Sequence, residues 1–130
     1  MQRFKLKSKI HNATITGADL HYEGSLAIDA ELMREARIEE YEQVHIYNVS
    51  NGARLETYAV PAEPGSRSII ANGAAARWCQ PGDRVIIATY ALVDEAEDLS
   101  PTIIILGEGN RLKEKRGVQG RLTPSLQRAV

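Results

Sequence analysis

"QVHIYNVSNGARLETYAV", residues 43–60, holds two β-rich runs joined through Ser50-Asn51-Gly52. Asn-Gly between such runs is a strong short-range signal for a β-hairpin, because both residues accept positive φ at little cost. The same reading extends outward. "EPGS" (63–66) and "QPGD" (80–83) are further turns, with Pro presetting the first turn dihedral and Gly accepting the left-handed one. Between them "SIIANGAAARW" (68–78) reads as a strand, an Asn-Gly bend and a short Ala-rich turn. "RVIIATYALV" (84–93) and "TIIILGE" (102–108) are continuous apolar runs, which predict interior strands, and the acidic "DEAEDLSP" (94–101) is the loop between them.

Upstream, "FKLKSKIHN" (4–12) alternates. Period two predicts a half-buried strand with Phe4, Leu6, Ser8 and Ile10 on one face and Lys5, Lys7, Lys9 and His11 on the other. "NATITGADLHY" (12–22) reads as a second extended run. A short helix is predicted over 30–36, with Asp29 as N-cap and Ile28 and Met33 as a hydrophobic staple. Six or more short strands with scant helix predict a mainly β fold, a small β-barrel.

The 130 residues predict a single domain, and 43% apolar with 25% charged residues is ordinary for a soluble globular protein. The single cysteine, Cys79, excludes an intramolecular disulfide framework and reads as a buried small residue. No run approaches a membrane span, and "MQRFKLKSKIHN" lacks the apolar core of a signal peptide, so a cytoplasmic protein without a membrane partner is expected. The net charge is −1, yet from Gly107 onward six Lys/Arg face two Asp/Glu. That basic tail, 107–130, reads as partly helical or flexible.

Metal chemistry is not expected, since His11, His21 and His45 are scattered without ligand spacing. The chemistry is sought instead in "LHYEGSLAID" (20–29), where Gly24-Ser25 interrupts an apolar segment. Glycine leaves its carbonyl open to the following hydroxyl and tolerates a strained backbone. Attack of Ser25 on Gly24 would turn the peptide into an ester, and elimination with hydrolysis would leave a pyruvoyl ketone able to capture an amine as an imine. The residues alone leave other readings open. One is a Ser–Lys hydrolase built from Ser25 and Lys9. Another is a non-enzymatic barrel binding nucleic acid through Lys5, Lys7, Lys9 and the tail.

"SKIHNATIT" (8–16) and, past Gly17, "ADLHYEGSLAID" (18–29), with "YNVSNGARLETYA" (47–59) and "GSRSIIANGAAA" (65–76), resemble the bacterial aspartate 1-decarboxylases, in the same order along the chain. The likeness runs from about Lys9 to Val93. It implies a six-stranded double-psi β-barrel and a homotetramer with active sites between subunits. It implies self-cleavage at Gly24-Ser25 into chains 1–24 and 25–130, with Ser25 becoming a pyruvoyl cofactor that forms a Schiff base with L-aspartate. The product would be β-alanine for pantothenate, with neither metal nor nucleic acid involved. The resemblance leaves open an accessory maturation factor.

Carried over residue by residue, Lys9 and Arg54 match the groups that hold the substrate carboxylates. Tyr58 matches the proton donor, and Thr57 a residue needed for processing that also borders the substrate. Asn72, Gly73, Ala74 and Ala75 match the pocket around substrate and pyruvoyl, and His11 and Tyr22 line the cleavage region. In an ideal strand Thr57 and Tyr58 point to opposite faces, so a bend or a second subunit would have to reconcile them. The chain departs from the family's common pattern at Tyr47 (often Trp), Asn12 (often Arg) and Leu26 (often Cys). Tyr47 keeps an aromatic wall while adding a hydroxyl.

Overall fold

The structure is a computed structural model, and residues 1–117 are described. The described residues are mainly β, as the sequence predicts, with one α-helix among them. The strands are β1 (Gln2–Thr14), β2 (Gly17–Asp19), β3 (Ser25–Asp29), β4 (Gln43–Asn48), β5 (Arg54–Ala62), β6 (Ile69–Asn72), β7 (Arg84–Asp94), β8 (Thr102–Leu106) and β9 (Leu112–Arg116). They form one hydrogen-bonded ladder in the order β2-β6-β3-β5-β4-β7-β1-β8-β9. Nine strands stand among the described residues where the resemblance implies six, and β2 and β6 are only three and four residues long. β1/β8, β2/β6 and β3/β5 pair in parallel and the remaining neighbours antiparallel, a mixture that a simple meander of hairpins cannot give.

The predicted turns form as read. In the β4–β5 hairpin Gly52 has φ +81°, the Asn48 carbonyl accepts from Gly52 N–H, and the Asn48 and Asn51 side chains accept from Ser50 and Ala53 N–H. The helix α1 spans Ala30–Ala36, and the Asp29 carboxylate caps it by accepting from Glu31 N–H at 2.8 Å. Asp29 also accepts from Gly65 and Arg67 N–H, so one buried carboxylate ties the helix start to the Glu63–Ser66 turn. At the other end Arg37 takes the left-handed conformation, and Arg37 and Ile38 N–H donate to the Arg34 and Met33 carbonyls, closing the helix as a Schellman motif. Ile28 and Met33 both lie in the core, with Ile10, Ile46, Ile87 and Ile104.

Two sequence expectations need correction. β1 does not keep one apolar face: a bulge between Leu6 and Ser8 shifts its register against β7, so that Leu6 sits opposite Tyr90 but Ser8 opposite Thr89. Ser8 and Ile10 point into the core, whereas Phe4 is 77% exposed. Lys7 is the unpaired residue of the bulge, and its ammonium binds both Glu42 oxygens and the Arg37 carbonyl. The cationic row Lys5-Lys7-Lys9 is therefore broken at its centre by an ion pair. The tail expectation is met in part, since Glu108–Asn110 is a short 3₁₀ turn, but a strand follows it. Leu112–Arg116 is strand β9, paired with β8, and Lys115 and Arg116 bind Glu35 and Glu114. The rest of that tail, 118–130, lies outside the described residues.

Cys79 is fully buried, and burial pushes its thiol up from the ordinary range. The native protein should accordingly resist an aromatic disulfide reagent at pH 8 and take up one equivalent after denaturation. Rapid stoichiometric labelling of the folded chain would contradict that. Among the described residues no helix is long and apolar enough to cross a membrane.

Candidate active site

β3 begins at Ser25, and pairing with β6 sets Ser25 opposite Asn72. Ser25 is buried, and its φ is +120°. The other described non-glycine residues with positive φ lie between +57° and +70°, in the left-handed helical basin. Ser25 lies beyond it, in territory that side chains rarely occupy, and strain of this kind costs about 1–3 kcal/mol. The Tyr58 hydroxyl donates to the Gly24 carbonyl at 3.3 Å, and Asn72 Nδ2 donates to Ser25 Oγ at 3.4 Å. Gly73 has φ +62°, and a Cβ built there would lie 2.9 Å from Gly24 Cα and 3.1 Å from Tyr22 O. The sequence-predicted Tyr22, Gly24, Ser25, Tyr58, Asn72 and Gly73 thus converge on one peptide. Ala75 is buried and Ala74 exposed in the 3₁₀ turn Gly73–Arg77 that follows.

Strand register places a second group of predicted residues. Lys9 sits opposite Ala88, Ala88 opposite His45, and His45 opposite Glu56, one row across four strands. Tyr47–Arg54 and Gln43–Tyr58 are the flanking rows of the β4–β5 pair. Opposed residues share a face and alternate along each strand. Lys9, His45, Tyr47, Arg54 and Tyr58 therefore share the outer face, while Val44, Ile46, Val85 and Ile87 fill the core beneath. Three interstrand steps of about 4.8 Å put Lys9 roughly 14 Å from Glu56 along the ladder, so one chain does not bring Lys9 beside Arg54.

Arg54 Cζ lies 4.1 Å above the Tyr47 ring, and the Tyr47 and Tyr90 hydroxyls are hydrogen-bonded at 2.7 Å. These side chains, with Phe4, His45 and Glu56, line an open cleft of about 590 Å³. Tyr90 was not among the predicted site residues. It sits inside a continuous apolar run, where nothing local marks its hydroxyl, and only the register of β4 on β7 brings it towards Tyr47.

Two predicted residues make no hydrogen bond to Gly24 or Ser25 among the described residues. His11, paired with Ile105, has a buried Nδ1 without a partner among the described residues. Burial foremost, then Lys9, Arg116 and Arg84, lowers its pKa. Thr57 faces away from Tyr58, opposite Val44, and its hydroxyl makes no hydrogen bond among the described residues. The donor found on the Gly24 carbonyl is Tyr58.

Comparison with known proteins adds to this geometry. The profile of the aspartate decarboxylase family matches residues 1–113. An aspartate 1-decarboxylase of Methylibium petroleiphilum is 51% identical over 118 residues, covering 89% of this chain and 98% of its own. One from Alcanivorax borkumensis is 54% identical, covering 87% and 91%, and one from Ralstonia nicotianae is 49% identical, covering 91% and 100%. Matches of that extent define the class: the chain is an enzyme, a decarboxylase of small, mainly β build. It belongs to the aspartate decarboxylase family.

Proposed function

We propose that the chain decarboxylates L-aspartate to β-alanine and carbon dioxide, after cleaving itself at Gly24-Ser25 and converting Ser25 to a pyruvoyl group. The observation that carries this reading is the Gly24-Ser25 peptide itself, in which Ser25 is buried and strained, with one hydroxyl donor on the Gly24 carbonyl and one amide donor on the Ser25 nucleophile. In maturation Ser25 Oγ attacks the Gly24 carbon, the C–N bond breaks, and an ester links the two residues. Loss of the Ser25 Cα proton expels the Gly24 carboxylate and leaves a dehydroalanine at residue 25. Water then replaces its nitrogen, releasing ammonia. The Tyr58 hydroxyl holds the Gly24 carbonyl through one long neutral hydrogen bond, and Asn72 orients the Ser25 oxygen.

The surrounding residues fit the resulting group. Asn72, the Gly73 backbone and Tyr58 would border it, and the group supplies an electrophilic ketone that holds the substrate amine and accepts electrons from the breaking bond. Lys9 and Arg54 bind the substrate carboxylates, with Arg suited to a two-point grip. Orientation by these cations decides which carboxylate is lost, because the breaking bond must stand perpendicular to the conjugated plane. Tyr58 delivers the proton to the substrate carbon after carbon dioxide leaves.

The distance from Lys9 to Arg54 within one chain supports an assembly in which neighbours complete each other's sites. A homotetramer is the proposed form, and exposed Phe4 and Leu92 on the outer face supply apolar surface for it. We place the enzyme in a reducing cytoplasm, supplying β-alanine for pantothenate.

Denatured intact mass of purified protein tests the reading. Two chains are expected, 1–24 and 25–130, the larger lighter by one ammonia than its serine form. A single chain that stays whole through prolonged warm incubation would reject unaided self-cleavage. Tyr58→Phe separates the two roles of its hydroxyl. One long neutral hydrogen bond contributes about 1 kcal/mol or less, so maturation should slow no more than about fivefold. Loss of a general acid should cut turnover by about a hundredfold or more. Wild-type turnover in the matured Tyr58→Phe enzyme would remove the proton-donor role.

A further inference from the structure

We infer that Tyr90 is a positioning residue for substrate binding: its hydroxyl fixes the Tyr47 ring as the platform that presents the Arg54 guanidinium to a substrate carboxylate. The inference rests on the reading of Arg54 as a carboxylate anchor and goes one residue further back.

Arg54 opens β5 directly after the hairpin turn, is exposed, and makes no ion pair among the described residues. A long side chain in that setting samples many rotamers, and ordering it costs affinity. What holds its guanidinium is the face of Tyr47, 4.1 Å away. The ring is held in turn at its far end, where its hydroxyl meets that of Tyr90 at 2.7 Å. Tyr90 is itself braced, with His45 packed edge-on against its ring at 5.0 Å. The chain of contact therefore runs from His45 through Tyr90 and Tyr47 to Arg54, on the face where the substrate carboxylate is expected. Burial, then the Tyr90 hydrogen bond, pushes the Tyr47 phenol up to about 12, so this bond does not titrate away near neutral pH.

The hydroxyl that Tyr47 adds in place of the family's common tryptophan thus has a defined partner. A tryptophan cannot make this bond in the same way, since its only polar hydrogen sits on the ring nitrogen. Without the bond the tyrosine ring can swing, and the guanidinium swings with it.

The test uses the matured enzyme with Tyr90→Phe, Tyr47→Phe, the double variant and Arg54→Ala. Loss of one neutral hydrogen bond should raise the KM for aspartate about fivefold in either single phenylalanine variant, with kcat within twofold of wild type. The double variant should be no worse than either single, because both remove the same bond. Equilibrium binding of succinate, a dicarboxylate without an amine, should weaken by the same factor in a measurement independent of turnover. An unchanged KM and succinate affinity in Tyr90→Phe, or effects that add in the double variant, would overturn the inference. Arg54→Ala separates it from the reading beneath. If Arg54→Ala weakens binding while Tyr90→Phe does not, only the positioning role fails. If Arg54→Ala also binds normally, the carboxylate anchor itself is misassigned.

Discussion

Ser25→Ala is expected to remain one full-length chain on a denaturing mass spectrum and to show no decarboxylation of aspartate. The variant removes only the oxygen that would attack Gly24. Alanine has to occupy the same φ of +120°, so the backbone strain at residue 25 stays while the nucleophile goes. The one hydrogen bond it loses, from Asn72, is 3.4 Å long, and its removal should cost stability no more than about 1 kcal/mol. A thermal melt close to that of the wild-type precursor would show that the fold survives. The loss of cleavage can then be assigned to chemistry. Cleavage of the alanine chain at the same bond would overturn the mechanism, because residue 25 would then carry no oxygen to form the ester. Aspartate turnover by the uncut variant would overturn the cofactor assignment while leaving the family membership in place.

What the sequence makes legible is whatever short-range stereochemistry decides. Asn51-Gly52 sets the hairpin, Asp29 the helix start, and Pro64-Gly65 and Pro81-Gly82 the turns, each through dihedral preferences confined to a few neighbouring residues. The alternation of 4–12 misleads because a bulge costs nothing visible in the residue pattern. One extra residue at Lys7 reverses the faces of Phe4 and Leu6 relative to Ser8 and Ile10. β9 stays hidden for a related reason. Its charges satisfy themselves in ion pairs with Glu35 and Glu114, so a strand forms without the apolar stripe that usually announces one.

The candidate site divides along the same line. Gly24-Ser25 and its neighbours in sequence could be named from motifs. The contact of Tyr58 with the Gly24 carbonyl, 34 positions away, could not, nor could the Tyr47–Tyr90 bond across 43 positions. Those depend on register, which is a property of paired strands and not of either strand alone.

Gly73→Ala is the second variant with a large expected effect, and it tests how closely the cleavage peptide is held. Two separate costs fall on an alanine there. The first is conformational: φ +62° suits glycine, and alanine in that region loses roughly 1 kcal/mol of stability. The second is steric. The new Cβ would sit 2.9 Å from Gly24 Cα and 3.1 Å from Gly24 N, against backbone that cannot rotate away as a side chain would. Gly24 must shift by some tenths of an ångström, which moves its carbonyl relative to both Ser25 Oγ and the Tyr58 hydroxyl. Misplacement by 1 Å can cost about a hundredfold in rate, so a shift of some tenths should slow self-cleavage by roughly tenfold. Gly52→Ala provides the comparison: φ is +81°, yet nothing lies within 4 Å of its Cβ position, so it carries the conformational cost alone. That variant should melt lower by the conformational cost alone and mature at the wild-type rate. Gly24 shows the converse, since a Cβ there would meet nothing within 4 Å. Packing therefore does not demand glycine at 24, whereas the approach of Gly73 to it does demand glycine at 73. If Gly73→Ala and Gly52→Ala matured equally fast while both remained folded, the close contact would have no bearing on cleavage, and the strained Ser25 with its two donors would have to account for the chemistry unaided.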